Sequence, residues 1–119
     1  MRSQFCRKDR KMNDILTNAL KDFGALDRGL FHAGLVDVGS QQERGVAYEN
    51  YLLSALKHPN FIGTHWHQFS DQATTGRFDG ENLQVGFTDC CDTPYYETIA
   101  HVRKVGYDMY KIRSLERPL

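Results

Sequence analysis

The sequence lacks long apolar runs, a cysteine framework and an excess of charge of either sign. No apolar stretch reaches the roughly 18 residues of a membrane-spanning helix, so such a helix is excluded. The three cysteines are odd in number and show no C-x-x-C spacing, which excludes a disulfide framework and the common zinc motifs. Because 15 basic residues balance 15 acidic ones, we expect neither nucleic acid nor a membrane as a partner.

The length and the N-terminus set two further limits. The 119 residues suffice for one small domain, whereas a complete eight-fold β/α barrel needs about 250 residues. The composition, 40% hydrophobic and 25% charged, is typical of a globular protein rather than a disordered one. No apolar segment follows the basic N-terminus, so no export signal is visible and a cytoplasmic location is the default expectation.

The balanced total conceals two charged segments. Residues 1–11 contain five basic residues and one acidic residue, and residues 71–92 contain five acidic residues and one basic residue. The basic segment has one aromatic residue, Phe5, and precedes no recognisable nucleic-acid fold, so we interpret it as a solvated arm. The acidic segment lies in a stretch rich in glycine and polar residues, which predicts a long surface loop over residues 70–92.

The clearest predicted helix begins after residue 40. Ser40 and Glu43 form a capping box, in which each side chain bonds an unpaired backbone N–H group of the first turn. An apolar stripe at helical spacing follows, made of Tyr48, Leu52 and Leu56, with Val46 and Leu53 nearby. The helix is expected to end before Pro59, which cannot continue it.

Two further helices are predicted. Apolar residues recur at helical spacing over 13–23, with Asn13 as N-cap and Gly24 as the stop. The last helix is expected to begin with Thr93 as N-cap and Pro94 at the first helical position. The residues predicted to form its apolar face are Ile99, Val102, Met109 and Tyr110, and the tyrosines at 95, 96 and 107 are expected to pack as well.

The remaining segments suggest strands between these helices. Residues 61–69 are short, aromatic and rich in β-forming residues, which predicts a strand. Alternating apolar residues predict a second short strand over 83–87, inside the long loop. Residues 30–39 fit either a loop or a short strand. Helix, strand, long loop and helix in this order are typical of a β/α repeat protein.

Four long stretches carry a specific resemblance to a known family. They are FGALDRGLFHAGL at 23–35, QQERGVAYENYLLSALKHPNFIGTHWHQ at 41–68, DQATTGRFDGENLQVGF at 71–87 and DTPYYETIAHVRKVGYDMY at 92–110. In this order they resemble the C-terminal part of the β-agarase-type enzymes, family 50 of the glycoside hydrolases. The resemblance implies a substrate of agarose or a related galactan, and we expect no cofactor. Members of this family commonly work outside the cell, so the location stays open against the cytoplasmic default.

The resemblance also implies a fold and a division of the chain. The family has the eight-fold β/α (TIM) barrel, so we expect an α/β fold that is a partial barrel, containing only the C-terminal β/α units. Residues 23–115 would form this fragment, from the exit of the seventh strand to the eighth helix. Residues 1–22 would be a divergent basic arm with an amphipathic helix, and residues 116–119 a tail.

The resemblance predicts that the catalytic pair is absent. Retaining glycosidases use one glutamate as acid/base and another as nucleophile. By the resemblance, the acid/base belongs on a strand upstream of this chain, and the nucleophile belongs a few residues before Gly24. Counting back places that position at Leu20, and leucine cannot attack an anomeric carbon. No catalytic residue is therefore predicted.

Sugar-binding residues are predicted at the end of the expected last strand and in the following loop. In a barrel these segments build the substrate site, where hydroxyl-rich sugars need donors, acceptors and an aromatic face. The predicted set is His65, Trp66, Gln68, Asp71, Gln72, Arg77, Asp79, Glu81 and Asn82. The alternatives are a core Trp66 with a satisfied N–H group, and loop residues that only make turns around Gly76 and Gly80.

Two other sets of residues leave alternatives open. His65 and His67 form an H-x-H pattern that would put both imidazoles on one face of a strand, with Asp71 as a third metal ligand. The competing interpretation, a packing or hydrogen-bonding pair without metal, is favoured. Asp27, Arg28 and His32 either shape the substrate site, or Asp27 and Arg28 form a structural charge pair.

These observations lead to two main hypotheses. The first is a fragment of a β-agarase-like hydrolase that keeps part of the sugar-binding wall and lacks the catalytic pair. Such a fragment would expose strand edges, and would associate with itself or with a separately encoded remainder of the barrel. The second is a non-catalytic carbohydrate-binding or partner-docking module.

Overall fold

The computed structural model describes residues 23–25, 27, 28, 30, 34 and 36–115. Its elements in chain order are β1 (Phe23–Gly24), β2 (Val36–Asp37), α1 (Gln41–Lys57) and α2 (Tyr96–Leu115). The two strands pair in parallel, with Phe23 opposite Val36 and Gly24 opposite Asp37. The described residues form no closed barrel, and none of their helices has the length and apolar character needed to cross a membrane.

The N-terminal helix prediction is tested at one end only. Residues 13–22 lie outside the described part of the chain, whereas Phe23 and Gly24 form β1. The predicted helix end at Phe23 is therefore wrong, because the backbone there is extended and pairs with β2. The region of 30–39 contains the short strand β2, which agrees with one of the two interpretations of that segment.

The N-terminal cap of α1 is confirmed, with one difference in its hydrogen bonds. The Oγ atom of Ser40 accepts the N–H of Glu43 at 3.2 Å, as the capping box predicts. The Glu43 carboxylate accepts the N–H of Gly39 at 2.8 Å, one residue earlier than in the standard arrangement. The helix ends at Lys57, and His58 is its C-cap, as the position of Pro59 predicts.

The buried face of α1 is more polar than the apolar stripe predicted. Its buried residues are Gln41, Arg44, Gly45 and Ala55. The predicted residues Tyr48, Leu52 and Leu56 are half-buried, and Val46 is 42% exposed. The first turns of α1 face a polar interior. The apolar stripe in the sequence therefore predicted only the second half of the surface that α1 packs against the rest of the fold.

The two helices pack closely and are joined by polar contacts. At Gly45 a Cβ atom would lie 2.5 Å from the Cδ2 atom of His101, so glycine allows the close approach. The single proton of the Thr98 hydroxyl is shared between the backbone oxygen of Gln41 at 3.0 Å and its side-chain oxygen at 2.9 Å. The Glu49 carboxylate bonds His101 and Lys104 across the interface, and these partners hold the pKa of Glu49 below its usual value.

The start and the exposed face of α2 differ from prediction. Residue 95 precedes the helix, and its carbonyl accepts the N–H of Ile99 at 2.9 Å. The predicted start was two residues early, because Asp89 binds the N–H of Thr93 and Pro94 bridges Thr88.

The predicted packing of the tyrosines is confirmed for Tyr95, which is fully buried, and is wrong for the largely exposed tyrosines 96, 107 and 110. Val105 and Thr98 are the buried residues of α2, whereas Met109 is 37% exposed.

Residues 61–69 do not form the predicted strand. They have no regular secondary structure, and residues 62–66 make no backbone–backbone hydrogen bond to any other described residue. The predicted strand over 83–87 does not form either, because within it only Leu83 is a bridge residue. The isolated bridges from Thr88 to Ser70 and to Pro94 lie just beyond it. A strand requires a neighbour that pairs with it along its length, and local sequence preference cannot supply one.

Gly86 occupies a position at which two backbone segments meet. A Cβ atom there would lie 2.2 Å from the N atom of Asp71, 2.4 Å from the carbonyl carbon of Ser70 and 2.4 Å from the O atom of Thr88. All three atoms belong to the backbone, so no side-chain rotation can relieve the overlap. The close approach also allows the Gly86 N–H to reach the Asp71 carboxylate.

We expect Gly86→Ala to lower the free energy of unfolding by about 3 kcal/mol, at the upper end of the cost of overpacking. Urea unfolding followed by far-UV circular dichroism measures the change. Gly106→Ala is the matched control, because a Cβ atom there meets nothing within 4 Å. It should raise stability by about 1 kcal/mol, since alanine is the better helix former. Equal midpoints for Gly86→Ala and the unmodified chain would contradict this account.

Candidate functional site

A buried carboxylate fixes the base of the polar loop, which we define as residues 70–92. Asp71 is 8% exposed, and its Oδ1 atom accepts the N–H of Gly86 at 2.6 Å. Its Oδ2 atom accepts the hydroxyl of Tyr95 at 2.5 Å. Burial raises the pKa of Asp71, and burial together with the neighbouring carboxylate raises the pKa of Tyr95. Both oxygens of Asp71 therefore serve to hold the loop against the start of α2.

The side chain of Gln72 connects the two sides of the polar loop. Its amide oxygen accepts the N–H of Leu83 at 2.8 Å, and its amide nitrogen donates to the Glu81 carboxylate at 3.0 Å. The Gln72 backbone N–H donates to the Leu83 oxygen at 3.2 Å, and the Cys90 thiol donates to the Gln72 carbonyl at 3.0 Å. Gln72 is buried, so its predicted place in the site lies beneath the loop surface.

The tip of the loop is a compact charged turn. The Nη2 atom of Arg77 lies 2.6 Å from Asp79 and 2.7 Å from Glu81. The Arg77 N–H donates to the Glu81 oxygen at 2.8 Å, and Gly80 at φ +87° donates its N–H to the Arg77 oxygen at 2.9 Å. The Arg77 guanidinium holds the pKa of Asp79 below its usual value. The structure thus brings Arg77, Asp79 and Glu81 together at the surface.

Trp66 lies in an aromatic cluster beside the polar loop. Its ring stacks on Phe87 with centroids 5.4 Å apart, and the edge contact with Tyr48 is at 5.1 Å. Its Nε1–H donates to the Val85 oxygen at 2.8 Å. These contacts match the core alternative in which the indole N–H is satisfied, although the residue is only half-buried. Direct contact between Trp66 and sugar stays a prediction.

The other predicted residues on this side differ in exposure. His65 is exposed, and the amide nitrogen of Gln68 donates to the Ser70 oxygen at 2.8 Å. Asn82 is half-buried, with a side-chain oxygen that has no hydrogen-bond partner among the described residues.

The hypothesis of a metal site formed by His65, His67 and Asp71 is not supported. Both oxygens of Asp71 are engaged, and the described residues include no group of three His, Cys, Asp or Glu that could hold a metal ion.

Sequence reasoning missed a buried polar cluster behind the aromatic residues. Arg44 is fully buried, with its guanidinium 5.4 Å from the Trp66 ring centroid and 5.5 Å from that of Tyr95. Its Nη1 atom donates to the Gln41 side-chain oxygen at 3.2 Å. Gln84 is also fully buried and donates its side-chain amide to Asp27. Arg and Gln are usually exposed, so no pattern in the sequence indicated this cluster.

Of the two interpretations of Asp27 and Arg28, the structure argues against the charge pair, and a role in the substrate site stays a prediction. Arg28 forms its ion pair with Asp89, at 2.8 Å, rather than with Asp27. It also donates to the carbonyls of Thr93 and Pro94, and its guanidinium lies 4.2 Å above the Tyr95 ring. The Thr93 N–H and the Arg28 guanidinium together hold the pKa of Asp89 below its usual value. His32 lies outside the described residues.

We expect Tyr95→Phe to lower the free energy of unfolding at pH 7 by about 1–3 kcal/mol, the cost of leaving a buried acceptor unpaired. Tyr96→Phe is the matched control, because the neighbouring tyrosine is 69% exposed and should be replaceable without loss. Urea unfolding of both variants measures the difference. Equal stability of the two variants would show that the Tyr95 hydroxyl does not hold the Asp71 carboxylate.

The hydrogen-bonded pair of Asp71 and Tyr95 also predicts how the free energy of unfolding depends on pH. Because the pKa of Asp71 is raised in the folded state, the folded chain binds that proton more tightly than the unfolded chain. The contribution of Asp71 to the free energy of unfolding should therefore fall as pH rises from the ordinary carboxyl pKa through the raised one. Asp71→Asn should remove that fall, which urea midpoints across the acidic range would detect. An unchanged pH profile in Asp71→Asn would contradict it.

Comparison with known proteins connects this arrangement to one enzyme family. No family model matches the chain. Two curated proteins of Vibrio sp. (strain JT0107) match it in sequence. β-Agarase B is 47% identical over 92 residues, which are 76% of this chain. β-Agarase A is 44% identical over 89 residues, which are 74% of this chain. The chain spans about a tenth of the length of these relatives, 10% and 9% respectively.

Solved structures give the same result. The agarase AgWH50C matches with a TM-score of 0.74 and 46% identity, over 77% of this chain and 14% of its own. The structure of PfGH50B and that of an exo-β-agarase also reach a TM-score of 0.74, each at 43% identity over 76% of this chain, and this chain covers 14% and 12% of them. Over about three-quarters of its length, the chain therefore resembles the β-agarases of glycoside hydrolase family 50 in both sequence and structure.

Proposed function

We propose that this chain is a sugar-binding part of a β-agarase-like glycoside hydrolase, and that its ligand is agarose or a related galactan. The observation that carries the proposal is the 47% identity to β-agarase B over 92 residues. The internal order of the polar loop supports it, because a binding surface is most effective when it is preorganised. The residues proposed to contact sugar directly are His65, Trp66, Gln68, Arg77, Asp79, Glu81 and Asn82, with Asp71 and Gln72 holding the loop beneath them.

The proposed architecture is the C-terminal β/α part of a TIM barrel, formed by residues 23–115. Parallel pairing of β1 with β2 supports it, since barrel strands are parallel. The two long helices that flank the polar loop support it as well. On this proposal the loop is one of those that follow barrel strands and surround the substrate. Residues 1–22 would then be a divergent arm and residues 116–119 a tail.

We also propose that the chain binds galactan without cleaving it. A retaining mechanism needs two carboxyl groups about 5–5.5 Å apart across the scissile bond. Four of the five polar-loop carboxylates are engaged elsewhere: Asp71 with Tyr95, Asp79 and Glu81 with Arg77, and Asp89 with Arg28. Leucine occupies position 20, where the family resemblance places the nucleophile.

We expect the full chain to bind agaro-oligosaccharides in isothermal titration calorimetry and to release no reducing sugar from agarose. His65→Ala should weaken binding about 2–10-fold, as expected for one lost hydrogen bond, because this exposed side chain has room to contact ligand. Asn50→Ala, an exposed polar residue on α1, is the control and should bind normally. Absence of binding, or sustained hydrolysis abolished by Asp79→Asn, would refute the proposal.

A second candidate function, docking of a protein partner, is favoured by an apolar cavity. The cavity measures about 440 Å³ and lies between α1, α2 and residues 61–64. Ile62 at its rim is fully exposed, and the backbone of residues 62–66 has no hydrogen-bond partner among the described residues. We propose that a separately encoded remainder of the barrel, or a second copy of the chain, covers this face.

We expect the purified chain to self-associate in sedimentation velocity, or to co-purify with the preceding β/α units of a related agarase. Ile62→Asp should abolish that association, because it places a charge on the apolar rim. Tyr107→Asp is the matched control, since Tyr107 is 85% exposed and does not line the cavity. A strictly monomeric chain that captures no such remainder would rule out docking.

A further inference from the structure

Phe78 is a fully exposed aromatic residue at the tip of the polar loop. Its exposure is 101%, although it lies between Arg77 and Asp79, whose side chains are paired with each other. It has no ring contact with another described aromatic residue. A phenylalanine side chain gains about 1.5–3 kcal/mol from burial, so full exposure forgoes that gain. The ring is therefore available to something outside the described fold.

The loop that carries Phe78 is held in one shape. The Arg77 N–H bonds the Glu81 oxygen, the Gly80 N–H bonds the Arg77 oxygen, and the guanidinium of Arg77 bridges Asp79 and Glu81. Gln72 ties Glu81 to the base of the loop. Because the backbone on both sides of the ring is already ordered, a ligand that stacks on it loses little conformational freedom.

The surroundings of the ring favour a sugar over a protein. Interface cores between proteins are depleted in charged residues, whereas charged groups flank Phe78 on both sides. Asp79 and Glu81 are paired with Arg77, but a carboxylate has about four lone-pair sites, so both can still accept hydroxyl groups beside the ring. The loop carries five acidic residues and one basic residue over 71–92, which disfavours an anionic ligand such as a sulfated galactan.

We infer that Phe78 is a stacking platform for an uncharged galactan ring, and that it determines part of the specificity of the proposed sugar-binding surface. The inference rests on the proposed function and adds a residue that is not among the polar contacts named for it. The apolar C–H face of the sugar ring lies on the phenyl ring, and its hydroxyl groups turn toward the acidic side chains. An aromatic ring of any kind at position 78 satisfies this role.

The test compares four proteins by isothermal titration calorimetry with a neutral agaro-oligosaccharide. Relative to the unmodified chain, Phe78→Ala should weaken binding about tenfold, and Phe78→Trp should retain it. Tyr107→Ala is the matched control, because it removes a ring that is 85% exposed on α2 and should leave binding unchanged. A sulfated carrageenan oligosaccharide should bind the unmodified chain more weakly than the neutral one.

Each outcome separates this inference from the proposed function. If the unmodified chain binds no galactan, the proposed function fails and the platform fails with it. If the unmodified chain binds and Phe78→Ala binds equally well, only the platform is overturned. The same holds if Phe78→Ala changes the sedimentation of the chain but not its sugar affinity. The urea midpoint of Phe78→Ala should match that of the unmodified chain, because no described aromatic packs on the ring; a large drop would contradict the exposure on which the inference rests.

Discussion

The buried carboxylate of Asp71 is the contact on which the rest of the arrangement depends. It joins the N–H of Gly86 to the hydroxyl of Tyr95, and so fixes both sides of the polar loop to the start of α2. A carboxylate in this position is stable only because both oxygens are hydrogen-bonded. Gly86 must lack a side chain for the carboxylate to reach its N–H, and Tyr95 must lie immediately before the helix. The positions of the surface residues of the loop therefore depend on this buried contact.

The interior of this small fold is unusually polar, and this affects how its function should be understood. Arg44, beside the Tyr95 ring, and Gln84 are both fully buried, where an ordinary domain of this size would place aliphatic residues. Such groups favour a defined arrangement more than they favour stability, because burying them costs free energy that hydrogen bonds only offset. On the proposed function, a polar interior next to a polar loop suits a surface that holds side chains in place for a hydroxyl-rich ligand.

The sequence correctly predicted those features of the fold that short-range interactions determine. The cap at Ser40, the end of α1 before Pro59 and the loop over 70–92 follow from short-range chemistry, and the family resemblance was confirmed. The strand over 61–69 was wrong, because a strand exists only when another segment pairs with it. The buried cluster of Arg44 and Gln84 was missed, since nothing in their sequence neighbourhood shows that partners distant in the chain enclose them. Exposure of Phe78 is likewise a property of the folded loop and not of its composition.

Arg113 shows how the two ends of the helical pair depend on each other. Its guanidinium donates to four backbone oxygens in and just past the last turn of α1, those of Leu56, His58, Pro59 and Phe61. A lysine ammonium has three donors and no planar fork, so it could not bind all four. The last turn of α2 thus supplies hydrogen-bond donors to the backbone oxygens at the C-terminal end of α1. Because Phe61 is also held by Arg113, the same side chain fixes the start of the segment that lines the apolar cavity.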